Sequence, residues 1–131
     1  MEQRTHAKIS AHLVGIPVEI EPGRAVVELT TTADMAADER GLVHGSFPFG
    51  AADYAAMLAV NDPNVVLGSA SCRFLGPVIA GERIRAEARV TGTDRKKRVV
   101  AVTVVRGTEP ILECEIIAFV LERHVLEGSS K

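Results

Sequence analysis

The segment FPFGAADYAAMLAV, residues 47–60, constrains the architecture more than any other part of the chain. Wound as a helix, it places Ala51, Ala52, Ala55, Ala56 and Ala59 with Phe49, Met57 and Leu58 around nearly its whole circumference. A helix that is apolar on almost every side must be enclosed rather than laid on a surface. Alanine also gives high helix propensity. Its small side chain lets a neighbouring backbone come close. The spacing predicts a helix from about Ser46 to Val60, stopped by the Asn61-Asp62-Pro63 turn. Whatever encloses it must come from the rest of the chain.

The rest reads mainly as strands. PVEIEPGRAVVELTTT is two strands around a Pro22-Gly23 turn. NVVLGSASCRFL is a third, ending at Gly76-Pro77. In ERIRAEARVTGT the period is two: Ile84, Ala86, Ala88 and Val90 share one face, and Arg83, Arg85, Glu87 and Arg89 the other. VVAVTVVRG and ILECEIIAFV follow after short turns, and DRKKR forms a charged hairpin tip between two of these strands. Successive strands with short turns imply an antiparallel meander. A short helix is expected over residues 4–13, ended by Gly15 and Pro17, and the tail EGSSK is expected to fray. The simplest architecture is α+β, a curved antiparallel sheet wrapped around one central helix. No repeat or linker divides residues 1–131, so one domain is expected.

Bulk properties narrow the function classes. Hydrophobic residues make up 47% of the chain, which argues against disorder. A net charge of -2 gives no reason to expect nucleic acid or an anionic membrane as partner. The first ten residues lack a basic-then-apolar leader pattern, and residues 41–60 are interrupted by His44, Pro48 and Asp53, so a cytoplasmic protein without a membrane span is expected. Cys72 and Cys114 form no CxxC pair and have no clustered histidines nearby, so a zinc site is not expected. They read as small core or half-buried residues of two strands.

Asp53 is the anomaly. It is the one charged side chain between Leu42 and Val60. Burying an ionised carboxylate without a partner is costly. Either Asp53 lies on a small exposed stripe or pairs with a sheet arginine such as Arg73, or it faces a cleft and acts as base or nucleophile. The turn just before it, His44-Gly45-Ser46, lies at the start of the helix, where backbone N–H groups are free and carry positive dipole. Such donors stabilise a developing oxyanion. Gly45 and Asp53 are eight positions apart, about 12 Å along a helix at about 1.5 Å per residue. That is too far for both to serve one reacting carbon. A working site would take Gly45 from one subunit and Asp53 from another, which predicts a two-fold dimer.

The run GLVHGSFPFGAADYAAMLAVN resembles hot-dog fold acyl-CoA thioesterases of the phenylacetate-degradation (PaaI-like) type. Their pattern is a His-Gly-Gly turn followed by an aspartate nine positions after the histidine, the spacing of His44 and Asp53 here. RFLGPVIAGERIRAEARV is similar to their strand, proline turn and following strand. The resemblance implies a hot-dog fold and thioester hydrolysis that needs no metal or cofactor, with coenzyme A entering as part of the substrate. By position it makes Asp53 the general base or nucleophile, the Gly45 amide the group that polarises the carbonyl, His44 a support for that turn, and Asp38 the holder of the attacking water. Ser69 and Ser71 lie on the strand that supplies a hydroxyl near the aspartate in such enzymes. Ser46 stands where the family has glycine, beside the acyl or pantetheine channel or as a helix cap; Pro48 and Gly50 make the first helical turn unusual. A homodimer is implied, or a tetramer of two dimers.

Arg95, Lys96 and Lys97, in the DRKKR tip, read either as a solvated turn or as a contact for the phosphates of coenzyme A. Two functions compete with hydrolysis. A non-catalytic acyl-CoA binding or sensing module has no need of Asp53, and a hydratase would use His44 and Asp53 for proton transfer at carbon.

Overall fold

The computed structural model describes residues 1–128; residues 129–131, within the tail expected to fray, lie outside the described residues. A four-residue helix α1 (Ala11–Val14) leads into β1 (Ile16–Glu21) and β2 (Arg24–Thr30). The long helix α2 (Ser46–Val60) follows a loop with one 3-10 turn. Then come β3 (Val65–Phe74), β4 (Arg83–Asp94), β5 (Lys97–Arg106) and β6 (Glu109–Val120). All six strands form one sheet in the order β1-β2-β4-β5-β6-β3, every neighbouring pair antiparallel. This is the hot-dog arrangement, with α2 as the filling.

The helix is held as its composition demands. Nine of its fifteen residues are buried, among them Ala51, Ala52, Ala55, Ala56 and Ala59. Ala25, Ala86 and Ala88 face it from β2 and β4 and are themselves fully buried. Small residues on both sides bring helix and sheet backbones together. Val100, Val102 and Val104 of β5 and Leu112 and Ile116 of β6 complete the core. Asn61 ends the helix in a left-handed conformation and donates its backbone N–H to Met57 O at 2.8 Å. Pro48 sits in the first turn, where its missing N–H would have had no helical acceptor. A Cβ on Gly50 would meet Val14 of α1 at 3.5 Å, so the glycine marks where α1 crosses the helix. Both residues that looked irregular in the sequence thus have structural reasons, Pro48 in hydrogen bonding and Gly50 in packing.

Two expectations are corrected. Residues 4–13 do not form one helix; the helical turn in that region is Ala11–Val14. The rest of that segment runs irregularly against α2 instead, and His6 adopts a positive φ of 57°. The meander covers β4, β5 and β6 only. β3 does not pair with β4, because β2 occupies that flank from Arg24↔Arg89 to Thr30↔Arg83. β3 takes the other open edge, beside β6.

Candidate active site

The loop before α2 is tied down on both sides. Thr31 Oγ1 donates to Glu82 O at 2.7 Å. Val43 N–H donates to Val78 O at 2.8 Å, and His44 N–H to Met35 O at 3.0 Å. Asp38 is exposed, and its Oδ1 accepts from Arg40 N–H at 3.0 Å and Leu42 N–H at 3.1 Å. The carboxylate therefore braces the turn 38–42, where Gly41 supplies a positive φ of 84°. Rigid backbone at a helix start is what a preorganised donor requires.

Gly45 is the N-cap of α2, in ordinary right-handed geometry, with no side chain capping the helix. Its carbonyl accepts from Phe49 N–H at 3.2 Å, whereas its own N–H donates to no group among the described residues. A Cβ at Gly45 would lie 3.3 Å from Cε1 of Phe74, so a side chain there is crowded by that ring rather than by the backbone angle. His44 is exposed and meets Phe47 edge to face, ring centroids 6.5 Å apart. Ser46 is exposed as the first helical residue; it does not cap the helix, which corrects one of its two expected roles.

Asp53 lies two turns further on, half-buried on the least covered stripe of α2, with Ser46, Phe49 and Gly50 toward the helix start. Its Oδ1 is buried without a hydrogen-bond partner among the described residues. Burial pushes the carboxyl above the usual carboxylate range, and the opposing influence comes from His6. Arg73 is not its partner: that guanidinium pairs with Glu113 at 2.9 Å on the outer face of the sheet. Sequence reasoning missed His6. Its one local signal was a histidine in a segment otherwise read as a helix.

The register decides the serines. Ala70, Cys72 and Phe74 stand opposite Ile116, Cys114 and Leu112, which are buried against α2, so these three residues face the helix side. Ser69 and Ser71 stand opposite Ile117 and Glu115 and point to the outer face. A bulge between Leu67 and Ser69 sets this phase. The sequence placed Ser69 and Ser71 on this strand without fixing their facing; within one subunit neither turns its hydroxyl toward Asp53, and Ala70 holds the helix-facing position. Cys72 and Cys114 face each other across the ladder as free thiols. Burial and the facing Cys72 push the Cys114 thiol up, away from reactivity.

Arg95, Lys96 and Lys97 are exposed at the β4–β5 tip, and Arg98 donates to Arg95 O at 2.7 Å to close it. Lys96 borders an open cavity of about 360 Å³ with Arg123 and His124. Among the described residues no group of three or more His, Cys, Asp or Glu side chains converges as a metal site. No helix there is long and apolar enough to cross a membrane.

An enclosed helix, a braced turn with a free amide at its start and an orphaned carboxylate two turns along define a class. Residues 40–112, more than half of the chain, match the thioesterase superfamily, and the chain belongs to that family. Within it the likeness is to the PaaI-like type. The chain is 29% identical to a mutant form of the phenylacetic acid degradation protein PaaI from Thermus thermophilus, with a TM-score of 0.77 over 85% of this chain and 97% of that one. Protein PH1136 from Pyrococcus horikoshii is 52% identical, with a TM-score of 0.95 over 96% of this chain and 97% of that one. A curated relative from Aquifex aeolicus, named methylthioribose-1-phosphate isomerase, is 47% identical over 121 residues, or 92% of this chain. The chain spans only 26% of that relative's length, and the isomerase name describes the longer protein.

Proposed function

We propose that the protein hydrolyses an acyl-CoA thioester to the free acid and coenzyme A in a site shared by two copies of the chain. The observation that carries this reading is the Asp53 carboxylate, whose buried Oδ1 has no partner among the described residues, in a superfamily of thioester hydrolases. In the general-base form, Asp53 takes a proton from water as the water oxygen bonds to the thioester carbon. The carbonyl electron pair moves onto oxygen, to which the Gly45 N–H of the other subunit donates a hydrogen bond. Collapse breaks the C–S bond, and the thiolate leaves with a proton returned from Asp53. In the nucleophilic form, Asp53 bonds to the carbon first, the C–S bond breaks and the coenzyme A thiolate leaves and takes up a proton; water then adds to the resulting mixed anhydride, releasing the acid and regenerating the carboxylate. Burial raises the pKa of Asp53, which makes its carboxylate a stronger base toward water. Coenzyme A enters as part of the substrate, and neither scheme uses a metal or a cofactor.

The separation along α2 supports a shared site, and so does the uncovered edge of β3. That strand is ten residues long, and Leu67 and Phe74 are 40% and 59% exposed on it. The test is thiol release from a panel of acyl-CoA esters by wild type and Asp53→Asn. Hydrolysis should fall by a factor on the order of 10² or more in the variant. An unchanged rate would sink the role of Asp53, and tight binding without turnover by wild type would favour a sensing module.

A further inference from the structure

The loop between β3 and β4, residues 75–82, does more than connect two strands. It is the support against which the Gly45 turn is held. Val43 N–H donates to Val78 O at 2.8 Å, and Ala80 N–H returns a bond to Gly41 O at 2.8 Å. Leu42 and Ile79 thereby form an antiparallel bridge between two segments that lie outside the strands. Gly45, whose N–H donates to no group among the described residues, follows Val43 by two positions. Where that N–H points depends on where Val78 and Ala80 sit. The ends of the loop have backbone anchors. Leu75 N–H donates to Ile111 O at 2.8 Å, and Thr31 donates to Glu82 O and accepts from Gly81 N–H, both at 3.0 Å. Between these anchors, no strand of the sheet bonds to the backbone of residues 77–80.

One side chain reaches that middle, from the last residue of β5. Arg106 donates through Nη1 to Pro77 O, which has no other donor among the described residues, and through Nη2 to Glu109 Oε1. Nη1 also lies 3.6 Å from Glu82 Oε1, the oxygen that accepts from Ile79 N–H at 2.7 Å. A guanidinium presents its donors in a fixed planar fork, so one arginine ties a carbonyl and two carboxylates into a single geometry. An exposed ion pair would count for little, but this side chain is only 25% exposed and bonds a backbone carbonyl as well. Pro77 O is one peptide from Val78 O, the acceptor of Val43 N–H. We propose that Arg106 is a positioning residue for the Gly45 amide: it fixes the middle of the 75–82 loop, and the loop fixes the turn whose free N–H meets the thioester carbonyl. The inference rests on the role proposed above for Gly45.

Arg106→Gln tests this in two arms. In the first, amide hydrogen exchange is followed by NMR. The Val43 and Ala80 amides should exchange about tenfold faster than in wild type, while amides of the β5–β6 ladder keep their protection. Unchanged exchange at both positions overturns the link between Arg106 and the turn. In the second arm, kcat for an acyl-CoA ester that wild type hydrolyses should fall about tenfold with KM held within about twofold, because a donor that serves only the transition state does not set binding. Arg106→Lys keeps the charge and loses the fork, and its kcat should lie between the two. Arg89→Gln breaks an exposed pair with Glu87 elsewhere on the sheet and should change neither readout. A raised KM at constant kcat, dissociation of the assembly in sedimentation velocity, or an equal loss in Arg89→Gln would overturn the positioning role. The exchange arm needs no turnover. A wild type that hydrolyses no thioester therefore overturns the proposed function, and exchange alone then decides whether Arg106 holds the turn.

Discussion

The two edges of the sheet are built on opposite terms. β1 is six residues long, carries Pro17, breaks its register between Pro17 and Glu19, and turns Glu19 and Glu21 toward a cluster of arginines. Short length, proline, a bulge and charge are the devices that keep an edge strand from pairing with another chain. β3 also carries a bulge, between Leu67 and Ser69, but it is ten residues long with no proline, and Arg73 is its one charged side chain. Ala70 and Phe74 face the helix side of the sheet yet lie exposed. Leu42 and Ile79, bridged to each other nearby, are 43% and 53% exposed. One edge is finished and the other is left open. The open edge flanks the braced turn that carries Gly45, so the same surface would join subunits and assemble the site.

The largest effect should come from charging the open edge. Ala70→Lys places an ammonium on an exposed β3 position and disturbs no packed contact of the single chain. We expect sedimentation velocity to show a shift from dimer to monomer, with thioester hydrolysis falling in parallel by a factor on the order of 10². The matched change on the finished edge, Val18→Lys, starts from a residue 41% exposed. It should leave assembly and turnover alone and move stability by no more than about 0.5 kcal/mol. Equal responses at the two edges would erase the distinction between them.

A smaller effect is expected where the open edge meets the helix start. Gly45→Ala keeps the amide and needs no new backbone angle, but its methyl would sit 3.3 Å from Phe74. The ring must give by a few tenths of an ångström, and we expect kcat/KM to fall about tenfold, or about 1.4 kcal/mol of barrier. Phe74→Ala removes the obstacle. In a double-mutant cycle the Gly45→Ala loss should shrink when Phe74 is already gone, and strict additivity would show that the two do not communicate.

How much of this was legible follows from range. α2 could be read to its ends because its signals are local: alanine spacing, an Asn-Asp-Pro stop, Ser46 at the first turn. Alternation in β4 gave the correct faces, with Ile84, Ala86 and Ala88 buried and Arg83 and Arg89 exposed. The spacing of His44 and Asp53 marked the candidate site. What failed depends on distant partners. The facing of Ser69 and Ser71 hinges on one extra residue in a bulge, and a shift of one residue turns every side chain over. The strap formed by residues 1–6 makes no backbone ladder, so no periodicity could announce it; its grips are Asn61 and Tyr54, more than fifty residues away. Arg73 looked available to Asp53 until the register placed it beside Glu113.

The smallest effect lies at the finished edge and is best read through pH. Arg24 donates to Glu87 at 2.7 Å and also pairs with Glu19. Hydrogen bonding to Arg24 holds the Glu19 carboxyl below its usual range. A carboxylate whose folded pKa is depressed stabilises the fold above its unfolded value, and that contribution is lost as pH falls through the folded one. These side chains are solvated, so the gain is modest and salt-sensitive. Arg24→Gln should therefore lower the urea midpoint slightly at pH 7 and in low salt. The gap from wild type should close as pH drops below the ordinary glutamate range, and it should narrow in high salt at fixed pH. A gap that persists in acid would place the contribution of Arg24 in packing of its stem against the strands rather than in charge, and the finished edge would then be closed by shape.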